Sequence, residues 1–206
     1  MQEVNPENTS RAEAFRLWMK APLPMVTLFK TFNVTKAVRM SRRGYKFNML
    51  LCWCTGRAAA QMQEFYLLPA GDKLIQFGNL AVNVIVATRA GGIAPCDVPF
   101  SENLMQFASD YDELTARVAQ TGQTHELGGD SMVIGTSALA KCEIDGAVNI
   151  YAGIYNNPFL IWGKYKKKLC KATLRISFQF HHVQMDGNHA AEFLQRLQRE
   201  LDALKA

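Results

Sequence analysis

Two adjacent histidines, His181 and His182, followed by Asp186-Gly187, form the densest group of chemistry-bearing residues in the chain. An imidazole has an ordinary pKa of about 6.5 and is largely neutral at working pH, so it can take a proton from a hydroxyl. A carboxylate a few residues on can support that base directly or steady the backbone that carries it. With a distant serine it would complete a Ser-His-Asp triad, and with His189 it could contribute to a metal site.

Two elements position this group. Ala172 to Phe180 alternates, with Leu174, Ile176, Phe178 and Phe180 on one side, which is the period of a half-buried strand. Ala190, Phe193, Leu194, Leu197, Leu201 and Leu204 then recur at helical spacing, so Asn188 to about Leu204 reads as an amphipathic helix. The histidines and the aspartate fall in the sharp turn between them, and Gly187 suits a sharp turn of the backbone. Alternation sends His181 to the opposite face from His182 and predicts a structural role for it.

The remaining pattern is that of one domain over residues 1–206, with residues 1–9 a polar, frayed tail. Ser10 and Glu13 read as a capping box for a short helix ended by Pro22 and Pro24. A strand is predicted over 25–34, a short helix after Thr35, and a long apolar helix over 47–63. Gly71-Asp72 turns a hairpin. Further strands are predicted over 80–88, 132–139, 148–155 and 159–162, with a helix capped by Ser101 in between. The fold class is α/β: a mixed, largely antiparallel sheet with helices on one face.

Composition narrows the classes of function. Hydrophobic residues make up 49% and charged residues 20%, as in ordinary globular proteins. No run reaches the roughly 18 apolar residues of a membrane span, and the N-terminus is not a signal peptide; a cytoplasmic location without membrane attachment is expected. The net charge of +5 is modest, and Lys164-Tyr165-Lys166-Lys167-Lys168 is the densest basic cluster. That cluster is either a solvated turn or an attractor for a polyanion. No extended basic helix suggests nucleic acid. The five scattered cysteines read as reduced thiols, and no metal is expected.

His-His-x-x-x-Asp-Gly with its flanks resembles the catalytic segment of the chloramphenicol acetyltransferase family. Tyr45-Lys46-Phe47, Ser137-Ala138-Leu139 and the segment from Pro158 to Tyr165 resemble other parts of that family, in the same order, over about residues 11–201. The resemblance implies a two-layer sandwich and transfer of an acetyl group from acetyl-CoA to a small-molecule hydroxyl, chloramphenicol foremost. It implies a homotrimer whose active sites lie between subunits. His182 matches the general base, and Ser137 the hydroxyl that stabilises the oxyanion. Asp186 matches a carboxylate that pairs with an arginine of the first helix, here Arg11, as a bidentate brace. Lys164 and Tyr165 match the donor side, and Leu17, Trp18, Val26 and Phe29 are candidates for an apolar acceptor pocket.

The chain departs from the family pattern at Gly135, commonly Asn, at Ile161, commonly Thr, and at Ala140-Lys141. These changes bear on the acceptor. Alternatives are therefore the same chemistry on another alcohol, or a non-catalytic trimeric CoA-binding scaffold. A dihydrolipoyl acyltransferase core is disfavoured because no lipoyl domain or linker precedes the domain.

Overall fold

A computed structural model describes residues 1–151 and 153–205. The order of elements is β1 (Gln2–Val4), α1 (Ala12–Trp18), β2 (Met25–Asn33), α2 (Thr35–Ser41), α3 (Phe47–Ala60), β3 (Leu67–Ala70), β4 (Lys73–Gln76), β5 (Asn79–Ala87), β6 (Ile93–Pro99), α4 (Leu104–Thr121), β7 (Ser131–Ala138), β8 (Phe159–Trp162), β9 (Lys166–Lys168), β10 (Lys171–His181) and α5 (Gly187–Ala203). Seven strands form one sheet in the order β2-β10-β8-β7-β5-β6, with β9 paired to β10. The β5–β7 and β7–β8 pairs are parallel and the others antiparallel.

The long strand β10 organises this sheet. Its even-numbered residues Leu174, Ile176, Phe178 and Phe180 are buried under the helices, as the alternation predicts. Phe178 and Phe65 both pack on Phe193 of α5, with ring centroids 4.6 and 4.7 Å apart. Aromatic contacts of this kind add to the burial that closes the layer.

The hairpin at Gly71-Asp72 forms as expected, and its strands β3 and β4 join β1 in a separate three-stranded sheet. Several other expectations are corrected. Residues 1–9, expected as a frayed tail, supply β1, which pairs with β4, and a 3-10 turn over Pro6–Asn8. The first helix starts after Arg11 with no side-chain cap, so Ser10 and Glu13 make no capping box; Thr9 instead accepts from the Arg11 backbone N–H. Asn103, not Ser101, caps α4. Of the strand expected over 148–155, position 152 lies outside the described residues, and the others form no strand. The stretch from Ala147 to Asn149 crosses the face of the sheet away from the helices. Its Ala147 and Asn149 N–H groups donate to Ser177 Oγ and Gln179 Oε1 of β10, at 2.8 and 2.9 Å. A backbone that bonds to side chains on the sheet's face cannot also join its edge.

Candidate active site

The turn after β10 is fixed from several directions. His182 N–H continues the pairing with β2 by donating to Pro24 O at 2.8 Å, and Gln184 N–H returns to His181 O at 2.9 Å. Val183 and Met185 are fully buried and anchor the turn in the apolar interior. Asp186 then caps α5: its carboxylate accepts from the backbone N–H groups of Asn188 and His189 at 2.9 and 3.2 Å. His189 takes the place a Glu or Gln usually holds in a capping box, accepting from Asp186 N–H, and its Nε2 lies 3.2 Å from Glu64.

Arg11 is the third support, and it does more than pair with Asp186. Only 4% exposed, it donates from Nε to Val183 O at 2.9 Å, from Nη2 to His182 O at 3.0 Å, and from Nη1 to Asp186 Oδ2 at 3.3 Å. The expected bidentate carboxylate pair is thus replaced by one long contact to the carboxylate and two bonds to the turn's own carbonyls. The rigid guanidinium fork suits this division, since it can address three acceptors in fixed directions. Burial pushes the Asp186 carboxyl up. The backbone N–H of His189, the nearby His189 ring, the N–H of Asn188 and the Arg11 contact outweigh that and hold it below the usual carboxylate range.

The two histidines differ in burial. His181 is 1% exposed, and its Nδ1 accepts from Val183 N–H at 3.1 Å. Burial, and then the neighbouring His182, push its pKa down to about 4, so it stays neutral. His182 is half-buried and stacks on Trp18 with ring centroids 5.0 Å apart and planes 24° from parallel. Its Nδ1 is enclosed and has no hydrogen-bond partner.

Gln184 carried no sequence signal. It is fully buried and donates from Nε2 to Leu67 O at 2.7 Å, so it ties the turn to the open edge of the small sheet. Asn156 does the same one step along, donating to Pro69 O at 2.7 Å. A lone Gln among apolar residues would have marked it, but only once the carbonyl it meets is known.

Ser137 stands elsewhere in the chain. On β7 it pairs across with Ile161 of β8, which pairs with Ser177 of β10, which pairs with Phe29 of β2. These four side chains lie in one row on the face away from the helices. His182, just past the end of β10, lies five residues beyond Ser177, about 16 Å at the rise of a strand, and on a different segment from Ser137. One chain therefore does not bring them together.

Leu17, Trp18 and Phe29 are exposed, while Val26 is half-buried and packs against the main core. Tyr165 packs on Phe47 at 5.1 Å, so the Tyr-Lys-Phe and Lys-Tyr segments meet although far apart in sequence. Lys164 is exposed, and Lys46 is paired with Asp112 at 2.8 Å. Cys52, Cys54 and Cys96 are buried, and burial pushes all three thiols up, Cys52 to about 12 and Cys96 to about 11. Among the described residues no helix is long and apolar enough to cross a membrane.

Comparison with known proteins adds a family. The family model described as chloramphenicol acetyltransferase matches residues 3–198. Chloramphenicol acetyltransferases 2 and 3 of Escherichia coli are each 25% identical to the chain, over 199 and 200 residues. The alignments cover 94% and 93% of this chain and 93% and 92% of those proteins. A solved chloramphenicol acetyltransferase superposes with a TM-score of 0.81 at 18% identity, covering 97% of this chain and 99% of that one. The dihydrolipoamide acetyltransferase of Azotobacter vinelandii gives 0.70 at 18%, covering 98% and 92%. At that identity the structural likenesses establish the fold.

Proposed function

Because the chain belongs to the chloramphenicol acetyltransferase family, an acyltransferase family, we propose that it moves an acetyl group from acetyl-CoA to a hydroxyl of a small molecule, with His182 as the general base. The observation that carries this reading is the state of His182: a half-buried imidazole on a braced turn, stacked on Trp18, with Nδ1 enclosed. Nε2 is then the nitrogen available to a hydroxyl.

In the proposed reaction Nε2 removes the hydroxyl proton as the oxygen attacks the thioester carbonyl. The Ser137 hydroxyl donates to the resulting oxyanion. Collapse expels the CoA thiolate, which recovers the proton from His182. The thioester is already activated, so no acyl-enzyme is needed. Arg11, Asp186 and Gln184 touch no substrate in this reading; they hold the turn on which the base sits.

The separation of Ser137 from His182 within one chain supports a site shared between copies, the base of one facing the serine row of the next. Exposed Leu17, Leu23 and Phe29, all close in sequence to the Trp18 that carries His182, support an apolar contact between copies there. A cytoplasmic homotrimer is the assembly this reading proposes.

A second acceptor remains in view for a specific reason. A Cβ on Gly135 would lie 2.2 Å from the Phe159 ring, so Phe159 fills the space a larger residue would take. Ile161 stands beside Ser137. The face around Ser137 is thus more apolar than the family pattern implies, which favours an alcohol other than chloramphenicol. Thiol release from acetyl-CoA with chloramphenicol and a panel of hydroxyl compounds separates the two. His182→Ala is expected to lower kcat roughly 10²–10⁴-fold while the protein stays folded. Turnover unchanged by that substitution overturns the reading.

A further inference from the structure

A recess of about 610 Å³ opens between the N-terminal segment and the 3-10 turn after α3, over Gln63–Tyr66. A volume of this size suits a small molecule. Among the described residues its lining holds one charged side chain, Glu64, beside the rings of Tyr66 and Phe77. Asn8, Ser10 and Gln63 also line it, and their side chains make no hydrogen bond among the described residues. Asn5 and Thr9 on the same wall are occupied, accepting from the N–H groups of Glu7 and Arg11.

Glu64 is the feature that calls for a ligand. Its side chain is 15% exposed, and its one ion-pair contact among the described residues is to His189, with Nε2 3.2 Å from Oε1. Nδ1 of that ring accepts from Asp186 N–H. In the neutral imidazole the proton then sits on Nε2 and is donated to Glu64. One carboxylate oxygen is satisfied, and the negative charge stays. Arg11 does not neutralise it, because that guanidinium is spent on Asp186 and two carbonyls. A carboxylate so enclosed attracts a cation more strongly than one in open water. Tyr66 and Phe77 are half-buried, and aromatic rings beside an acid favour an ammonium group.

The recess is also tied to the turn that carries His182. Glu64 meets His189, which meets Asp186, the partner of Arg11. Leu67, another lining residue, accepts from Gln184 of the turn at 2.7 Å.

We propose that the recess binds a small organic ammonium ion, its charged group on Glu64 and its apolar body against Tyr66 and Phe77. Asn8, Ser10 and Gln63 would meet hydroxyl or amide groups on such a ligand. The site uses none of the residues assigned to the reaction above, so it stands or falls independently of that reading.

The test is calorimetric titration of the full chain at pH 8, where an ordinary imidazole is neutral and an aliphatic amine keeps its proton. The probes are tyramine, its neutral counterpart 4-ethylphenol and its anionic counterpart 4-hydroxyphenylacetate. Tyramine is expected to bind at least about tenfold more tightly than either counterpart, and more weakly as salt rises. Glu64→Gln keeps an oxygen for His189 Nε2 but removes the charge, and should weaken tyramine binding about tenfold. Tyr66→Leu should weaken it about threefold. Glu113→Gln, which removes an equal charge from the exposed face of α4, should bind tyramine as wild type does. Comparing the three probes on the wild-type chain needs no variant to fold. Three results each overturn the proposal: no tyramine binding to wild type, 4-ethylphenol binding equally well, or a folded Glu64→Gln within about twofold of wild type.

Discussion

At one end of β10 a single guanidinium is buried and its bonds are used on the protein itself; at the other, four cations line an open recess and none has a salt-bridge partner among the described residues. Arg11 grips His182 O, Val183 O and Asp186, while Arg39, Arg42, Lys167 and Lys171 face solvent. The same type of charge thus does opposite work. Buried, it fixes backbone geometry and leaves nothing for a ligand. Exposed and unpaired, it contributes little to stability and remains free to bind.

The largest effect that would break this contrast is at Arg11. Arg11→Met leaves two carbonyls of the turn without a donor, each worth about 1–3 kcal/mol. Stability is expected to fall by about 2–6 kcal/mol, and the melting temperature by roughly 5–20 °C. Activity should fall with it, because an imidazole displaced by an ångström can lose about a hundredfold in rate. A melting curve equal to wild type would mean that the turn holds itself.

Next is the buried histidine beside the base. His181 has a folded pKa of about 4 against an ordinary 6.5, so the unfolded chain binds the extra proton first. Its contribution is fully present above about pH 6.5 and is lost as pH falls towards 4, amounting to about 3 kcal/mol. Urea denaturation across that range should show a shallower acid slope for His181→Asn than for wild type. The smallest effect belongs to the exposed end. Arg39→Gln/Arg42→Gln is expected to change stability by no more than about 0.5 kcal/mol, and to raise it if repulsion is relieved. A clear loss would show those side chains to be structural.

Much of this was legible in the sequence, and for physical reasons. The alternation of Leu174, Ile176, Phe178 and Phe180 marks a strand with one buried face, and the spacing of Phe193, Leu194 and Leu197 marks the helix packed on it. The turn between them follows from those two periods; the burial of His181 does not, because it lies out of phase with the buried apolar residues of β10. What could not be read depends on contacts between distant segments. Arg11 was found through family resemblance, but its bonds to two backbone carbonyls leave no trace in side-chain pattern. Gln184 meets a carbonyl of β3, and the segment around Ala147 bonds to Ser177 and Gln179. Each is a side chain meeting a backbone group far away in sequence. The helix starts differ from expectation for a related reason: α1 has no side-chain cap where Ser10 was expected, and Asn103 caps α4 two residues beyond Ser101, because a cap is set by the register at which the helix begins.

The central claim is that His182 of one copy acts opposite Ser137 of another, and subunit mixing tests it most directly. His182→Ala and Ser137→Ala proteins, each expected to be deficient by at least about a hundredfold, are unfolded together and refolded as a mixture. If each site takes its base from one copy and its serine from a neighbour, random assembly restores about a quarter of the wild-type sites. Activity no greater than that of the two variants assayed separately would contradict the account.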